Sequence, residues 1–345
     1  MMCMGARETT IRRVPDAHGS DMTTVRSDVG ALVVHAAAEL PDGRMLVALG
    51  EVGAWLLSRE GRVVFRFAEP AHKLVISDHG DRAILVAFRG EACRLARLDL
   101  LTRRISSWCD ARISRFASNF DGATWHVSFE DTVFAIDALC EGWEHIWTVE
   151  APGSFVSAIA RDAKTISVWF DHNKGADGEV WTLDASAHVL RQRRLVPGPG
   201  TESTGVYHGN ISAAGLLAGW VHRDEEPTST AAIRARAGVF IRDAWKDIAL
   251  TTPSGFSQPQ VANDWIAFSV ASLQGTVVHL YDSYWLQERA VLKLDRAIDR
   301  VVSQNSPLPA GLRFQGDRLL VFDDCGRVLV FSLKSGTVLR EFRIS

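Results

Sequence analysis

Eleven histidines, five cysteines and forty-one acidic residues are the groups in this chain that could carry chemistry. Their spacing assembles no reaction centre. Neither His-x-His nor His-Glu-x-x-His occurs, so no pair of imidazoles is set for zinc. His35, His126 and His279 fall in apolar strand-like runs and read as structural. Cys3, Cys93, Cys109, Cys140 and Cys325 are odd in number and scattered, without a Cys-x-x-Cys. That pattern argues against a zinc ribbon or a disulfide framework and for a reducing, cytoplasmic setting. Asp171-x-Asn173-x-x-x-Asp177-Gly178 offers three oxygens but lacks the spacing and terminal Glu of a calcium loop. Asp184-Ala185-Ser186-Ala187-His188 misses an Asp-x-Ser-x-Ser metal motif at its last position. Asp323-Asp324 reads as a solvated acidic pair at a strand end.

Nucleotide and acyl-transfer signatures are equally absent. There is no Gly-x-x-x-x-Gly-Lys-[Ser/Thr] loop, no Gly-x-Gly-x-x-Gly after a strand and no Gly-x-Ser-x-Gly elbow. Pro197-Gly198-Pro199-Gly200 is a rigid loop whose prolines remove the N–H donors a phosphate needs. The sequence therefore implies neither cofactor nor metal. The best catalytic candidate is His208, beside Tyr207 near an inner strand, with no nucleophile or carboxylate motif next to it.

The elements that would position such groups are clearer. The 345 residues are 47% hydrophobic and 23% charged, which is globular composition and excludes a disordered chain. The formal charge of -3 supplies no field for nucleic acid. No apolar run approaches the ~18 residues that span a bilayer. The first 29 residues read as a flexible lead-in without the apolar core of a signal peptide.

From there a turn followed by an apolar strand recurs. It begins at Pro41-Asp42-Gly43, Gly80-Asp81, Asp121-Gly122, Asp162, Ala214-Gly215, Asn263-Asp264 and Gly316-Asp317. The interval of ~38 to ~53 residues suits propeller repeats. A second strand type ends in a short polar residue before another turn: Ser58, Asp99, Asp137, Asp184, Arg242, Asp282 and Ser332. An Asp there accepts bonds from N–H groups two residues on and so starts a tight turn. With one strand before the first turn and three after it, residues 30–345 are expected to form one all-β domain. It would be a seven-bladed β-propeller of four-stranded antiparallel blades, with six blades as the alternative count. Eleven tryptophans, mostly within or beside those strands, would fill space between blades. Leu312-Arg313-Phe314 is the better inner strand for the last unit. The ring would close by side-chain packing between the last blade and the first, or by adding the Thr9-to-Val14 stretch as a strand.

In such a blade the links from first to second and from third to fourth strand share one face. Here those are tight turns. The insertions fall on the other face, where long loops on a rigid scaffold serve recognition. Partner contacts are expected from Asp171, His172, Lys174 and Asp177, and from His222, Arg223, Asp224, Glu225, Glu226, Arg234 and Arg236.

The repeats over about residues 31 to 345 resemble the WD-repeat and quinoprotein-like propeller superfamily. The Leu98-Asp99 and Leu183-Asp184 strand ends and the hairpin from Phe331 to Phe342 carry that likeness, although no unit has an intact Gly-His…Trp-Asp pair. The run from Ala36 to Leu49 and the unit from Gly316 to Gly336 are similar to the propeller component of bacterial ternary systems with a MoxR-type ATPase and a von Willebrand A protein. That resemblance implies a non-catalytic, protein-binding scaffold whose partners hold the ATP and metal chemistry. The alternative is a propeller hydrolase or lyase with a site at the channel mouth near His208.

Overall fold

The computed structural model describes residues 11–15, 21–25, 32–90, 92–137, 143–148, 154–172, 177–198, 205–222, 235–251, 255–262, 264–272, 275–295 and 310–344. They form seven antiparallel blades of four strands, with no helix among the described residues. Blade one is Ala36–Glu39, Met45–Ala48, Ala54–Leu57 and Val63–Phe67. The inner strands of blades two to four are Lys73–Ser77, Arg115–Phe116 and Ser154–Arg161. In blades five and seven they are Gly205–Ile211 and Gly311–Gln315. Blade six splits its inner strand into Gly255–Phe256 and Gln260–Val261.

Burial changes with distance from the axis, and the sequence follows it. The second strand Met45–Ala48 and the third strand Arg327–Ser332 are buried at every residue. Neighbouring blades cover both of their faces, so they read as continuous apolar runs, not as alternation. The outer strand Leu190–Val196 is exposed along most of its length and carries three arginines.

Seven apolar clusters each join two consecutive blades. The first unites Val47 and Trp55 of blade one with Leu320, Val330 and Phe342 of blade seven. Others join blades one and two, two and three, three and four, four and five, five and six, and six and seven. Trp125, Trp169 and Trp220 lie fully buried in these joints, as expected of the tryptophans.

The ring therefore closes by side-chain packing between blades seven and one. A polar cluster reinforces the seam. Glu39, 4% exposed, pairs with Arg318 and Arg340. The N–H of Glu39 donates to Gln315 Oε1 at 2.9 Å, and Gln315 Nε2 donates back to the Glu39 carbonyl. Ile11–Pro15 and Asp21–Val25, within the expected lead-in, pair as an antiparallel hairpin. The second of these strands runs parallel to Thr337–Ile344 on the outer edge of blade seven, so it widens that blade without bridging it to blade one.

The recurring aspartates act as turn formers. Oδ1 of Asp121, Asp162 and Asp184 each accepts two backbone N–H groups at 2.6–2.9 Å. Ser58 and Ser332 do the same work with their hydroxyls. The two turns of a blade are also tied together. Leu100 N–H donates to Asp81 O, Ala185 to Lys164 O, Ser283 to Asp264 O and Leu333 to Asp317 O, at 2.9–3.0 Å. One face of the ring is thus a lattice of short, cross-linked turns.

Candidate functional site

Three places gather side chains that the fold alone does not require. The first is the central channel, walled by the inner strands. Arg313 leaves the inner strand of blade seven and donates to Leu74 O at 3.1 Å and Ser118 O at 2.9 Å. Leu74 belongs to blade two, and Ser118 lies just after the inner strand of blade three. Neither blade adjoins blade seven, so the side chain crosses the axis. Burial alone pulls its guanidinium down to about 10. Lys73 and Arg115, on the inner strands of blades two and three, are likewise lowered by desolvation. Arg115 Nε donates to Ser157 O at 2.8 Å.

The second place is the tight-turn face of blades two to four. Arg161 ends the inner strand of blade four with its side chain only 3% exposed. One nitrogen reaches Asp78 Oδ2 at 3.0 Å and the other Asp121 Oδ2 at 3.1 Å. Asn119 Nδ2 donates to Asp78 Oδ1 at 2.8 Å. Next to this group, His126 is completely buried on the second strand of blade three. Its Nε2 lies 3.2 Å from Nε2 of His188. Desolvation first, then the charge of Arg161, pushes His126 down to about 3. Its imidazole is therefore neutral at physiological pH, and Arg161 spans both carboxylates. The arrangement is a structural clasp, and the reading of His126 as structural agrees with it.

The third place is a cleft of about 540 Å³ between blades six and seven, also on the tight-turn face. Leu280, Phe331 and Leu333 lie among its apolar lining, and Lys334 and Asp264 line it too. Tyr284 and Trp285 line it from the hairpin of blade six, 64% and 70% exposed, stacked edge to face with centroids 4.5 Å apart. Asp282 fixes that hairpin: Oδ1 accepts Trp285 N–H at 2.5 Å and Oδ2 accepts Arg289 Nε at 2.9 Å.

The acidic pair Asp323-Asp324 departs from expectation. Asp323 is buried, 7% exposed, and not solvated. Its Oδ1 accepts N–H groups of Cys325 and Arg327 at 2.9 Å, and Oδ2 faces Arg327 Nε at 3.7 Å. Asp323, Asp324 and Cys325 bring ligand atoms within 4.8 Å of one another, but the aspartate that would anchor an ion is engaged by the turn.

The described residues among those singled out from sequence do not converge. His208 lies in the inner strand of blade five, where the register slips between Tyr207 and Asn210. Asp171 sits near the end of a strand in blade four, paired in register with Phe155. Asp177 accepts Gly198 N–H at 3.0 Å, tying two loops of blade four. Arg236 is exposed, 3.8 Å from Asp247. His172 and His222 are described as strand backbone only. Lys174, Arg223, Asp224, Glu225, Glu226 and Arg234 lie outside the described residues. Sequence reasoning missed Arg313, although an arginine between Leu312 and Phe314 of an expected inner strand was a usable signal. It also missed Trp285, whose type did not distinguish it from the buried tryptophans.

The class that this architecture defines is the seven-bladed β-propeller. No protein-family model matches the chain, and no curated protein matches its sequence. Solved structures match it in fold. A complex of KlAtg21 with the coiled-coil of AgAtg16 aligns at TM-score 0.58 and 12% identity, over 91% of this chain and 100% of that one. The β-propeller domain of Myceliophteria thermophila Cps50 (Swd1) aligns at 0.52 and 10% identity, over 89% and 98%. An oligogalacturonate lyase in complex with manganese aligns at 0.50 and 13% identity, over 71% and 75%. At these identities the likeness is one of fold.

Proposed function

We propose that the chain is a non-catalytic protein-binding scaffold, a rigid ring that presents side chains to protein partners in the cytoplasm. The observation that carries this reading is the Tyr284–Trp285 pair, two rings 64% and 70% exposed beside a cleft with apolar lining. Large aromatics of this kind dominate interface energetics. Held on a short hairpin, they lose little freedom when covered. The sequence linking the second and third strands of blades four and five is of mixed charge and adds candidate partner contacts. The near-neutral net charge favours specific contacts of this sort over nucleic acid.

More finely, the chain serves as the accessory subunit of a MoxR-type ATPase and a von Willebrand A protein. The supporting residues are Ala36 to Leu49 and Gly316 to Gly336, together with a sequence that carries no phosphate loop and no intact metal motif of its own. The test is reconstitution with the MoxR-type ATPase and von Willebrand A protein of the same genome, followed by titration calorimetry. A stable complex is expected, weakened at least about tenfold by Trp285→Ser and unchanged by Leu101→Ser at another exposed site. Absence of a complex, or equal binding by Trp285→Ser, overturns the reading. The competing hydrolase or lyase near His208 requires an activity that His208→Ala abolishes; a scaffold has none to lose.

A further inference from the structure

The inner strands carry an imbalance of charge. Among their described residues the only carboxylate is Glu39, and Arg318 and Arg340 already occupy it. Against it stand Lys73, Arg115, Arg161 and Arg313. Arg161 is answered by Asp78 and Asp121. The other three are not answered by any carboxylate among the described residues.

Arg313 also reaches across the axis to the chain segments that carry the other two. Arg313 bonds to the carbonyl of Leu74, the residue after Lys73, and to the carbonyl of Ser118, three residues after Arg115. A guanidinium has five N–H donors, and two described partners leave most of them unspent. Both partners are neutral carbonyls, which orient the group without cancelling its charge. Arg313 is half-buried and faces no carboxylate among the described residues, while Lys73 and Arg115 stay open to solvent. A purely structural tie across the axis could be made with a neutral amide and would not need a cation.

We propose that the central channel is a binding site for a small oxyanion, a phosphate- or carboxylate-bearing ligand held by Arg313 with Lys73 and Arg115 around it. Arg313 supplies the planar fork that matches such oxygens, and its carbonyl partners hold the fork in place before the ligand arrives. This site is independent of the protein-binding cleft between blades six and seven. A ligand there would touch inner strands of several blades at once.

The test is titration calorimetry of the full chain with inorganic phosphate and, separately, with citrate, at constant ionic strength set by chloride. One-to-one binding of at least one of them is expected, and the tighter of the two gives the class of anion. Arg313→Gln is expected to weaken it at least about tenfold, the loss of a bidentate charge-assisted contact. Lys73→Gln, at a residue whose removal breaks no ion pair, is expected to weaken it by about threefold or more. Lys334→Gln, in the outer cleft, leaves it unchanged. No binding of either anion, or full affinity in Arg313→Gln, overturns the proposal. If Arg313→Gln does not fold, full affinity in Lys73→Gln overturns it and weakened affinity there supports it.

Discussion

His188 sets its Nε2 3.2 Å from Nε2 of His126, across the joint between blades three and four. To do so it adopts φ of 54°, a left-handed backbone uncommon for a residue with a side chain. His126, depressed to about 3 from 6.5, stays neutral in the fold but protonates in the unfolded chain. Its contribution is therefore complete above about pH 6.5 and is lost as pH falls from there towards about 3. Between pH 7 and pH 5 the wild type should lose about 2 kcal/mol more than His126→Gln. Urea denaturation at the two pH values measures the difference.

Arg161 is the shared counter-charge of Asp78 and Asp121, buried while they are partly solvated. Arg161→Met leaves two carboxylates facing each other across the joint. The expected loss is about 2 kcal/mol, below the range for a fully buried pair because water screens the carboxylates. Asp121→Asn keeps one pair and should cost less. Equal thermal stability of Arg161→Met and wild type would contradict the clasp.

Two glycines separate backbone strain from collision. Gly336 has φ of 68° with open space where a Cβ would stand, so Gly336→Ala should cost about 1 kcal/mol. Gly53 has φ of 108°, and a Cβ there would come within 1.9 Å of the Phe67 carbonyl oxygen. Gly53→Ala should cost at least about 2 kcal/mol more than Gly336→Ala. Chemical denaturation of the pair checks the order.

Trp285 is the one tryptophan among the large exposed apolar residues described. Trp285→Ser should change stability by no more than about 0.5 kcal/mol. It should also remove most of the tryptophan emission that iodide quenches. Retention of that emission would mean that the ring is covered in solution.

The ring was legible in the sequence because its cause is local. Asp121, Asp162 and Asp184 each bend the chain within three residues, and the apolar runs that follow reflect burial on both faces. Leu312-Arg313-Phe314 was identifiable as an inner strand for the same reason. The sites were not legible, because their causes are distant. Arg313 meets Leu74 across 239 positions, and His126 meets His188 across 62. No spacing rule connects such pairs before the blades are arranged around an axis. Asp323 was misread as solvated because its burial comes from the seam with blade one, where its carbonyl accepts Val34 N–H at 3.1 Å.

That seam has a mechanical meaning. Six joints of the ring have the chain running from one blade into the next. The joint between blades seven and one lacks that covalent run and is held by the packing around Trp55 and Phe342, by the Val34–Asp323 backbone bond and by Glu39 gripping two arginines. The molecule is a bracelet with a clasp, and the clasp is apolar packing reinforced by an ionic grip. If that one fastening loosens while the other six stay hinged, the ring springs open at a known place instead of melting all round.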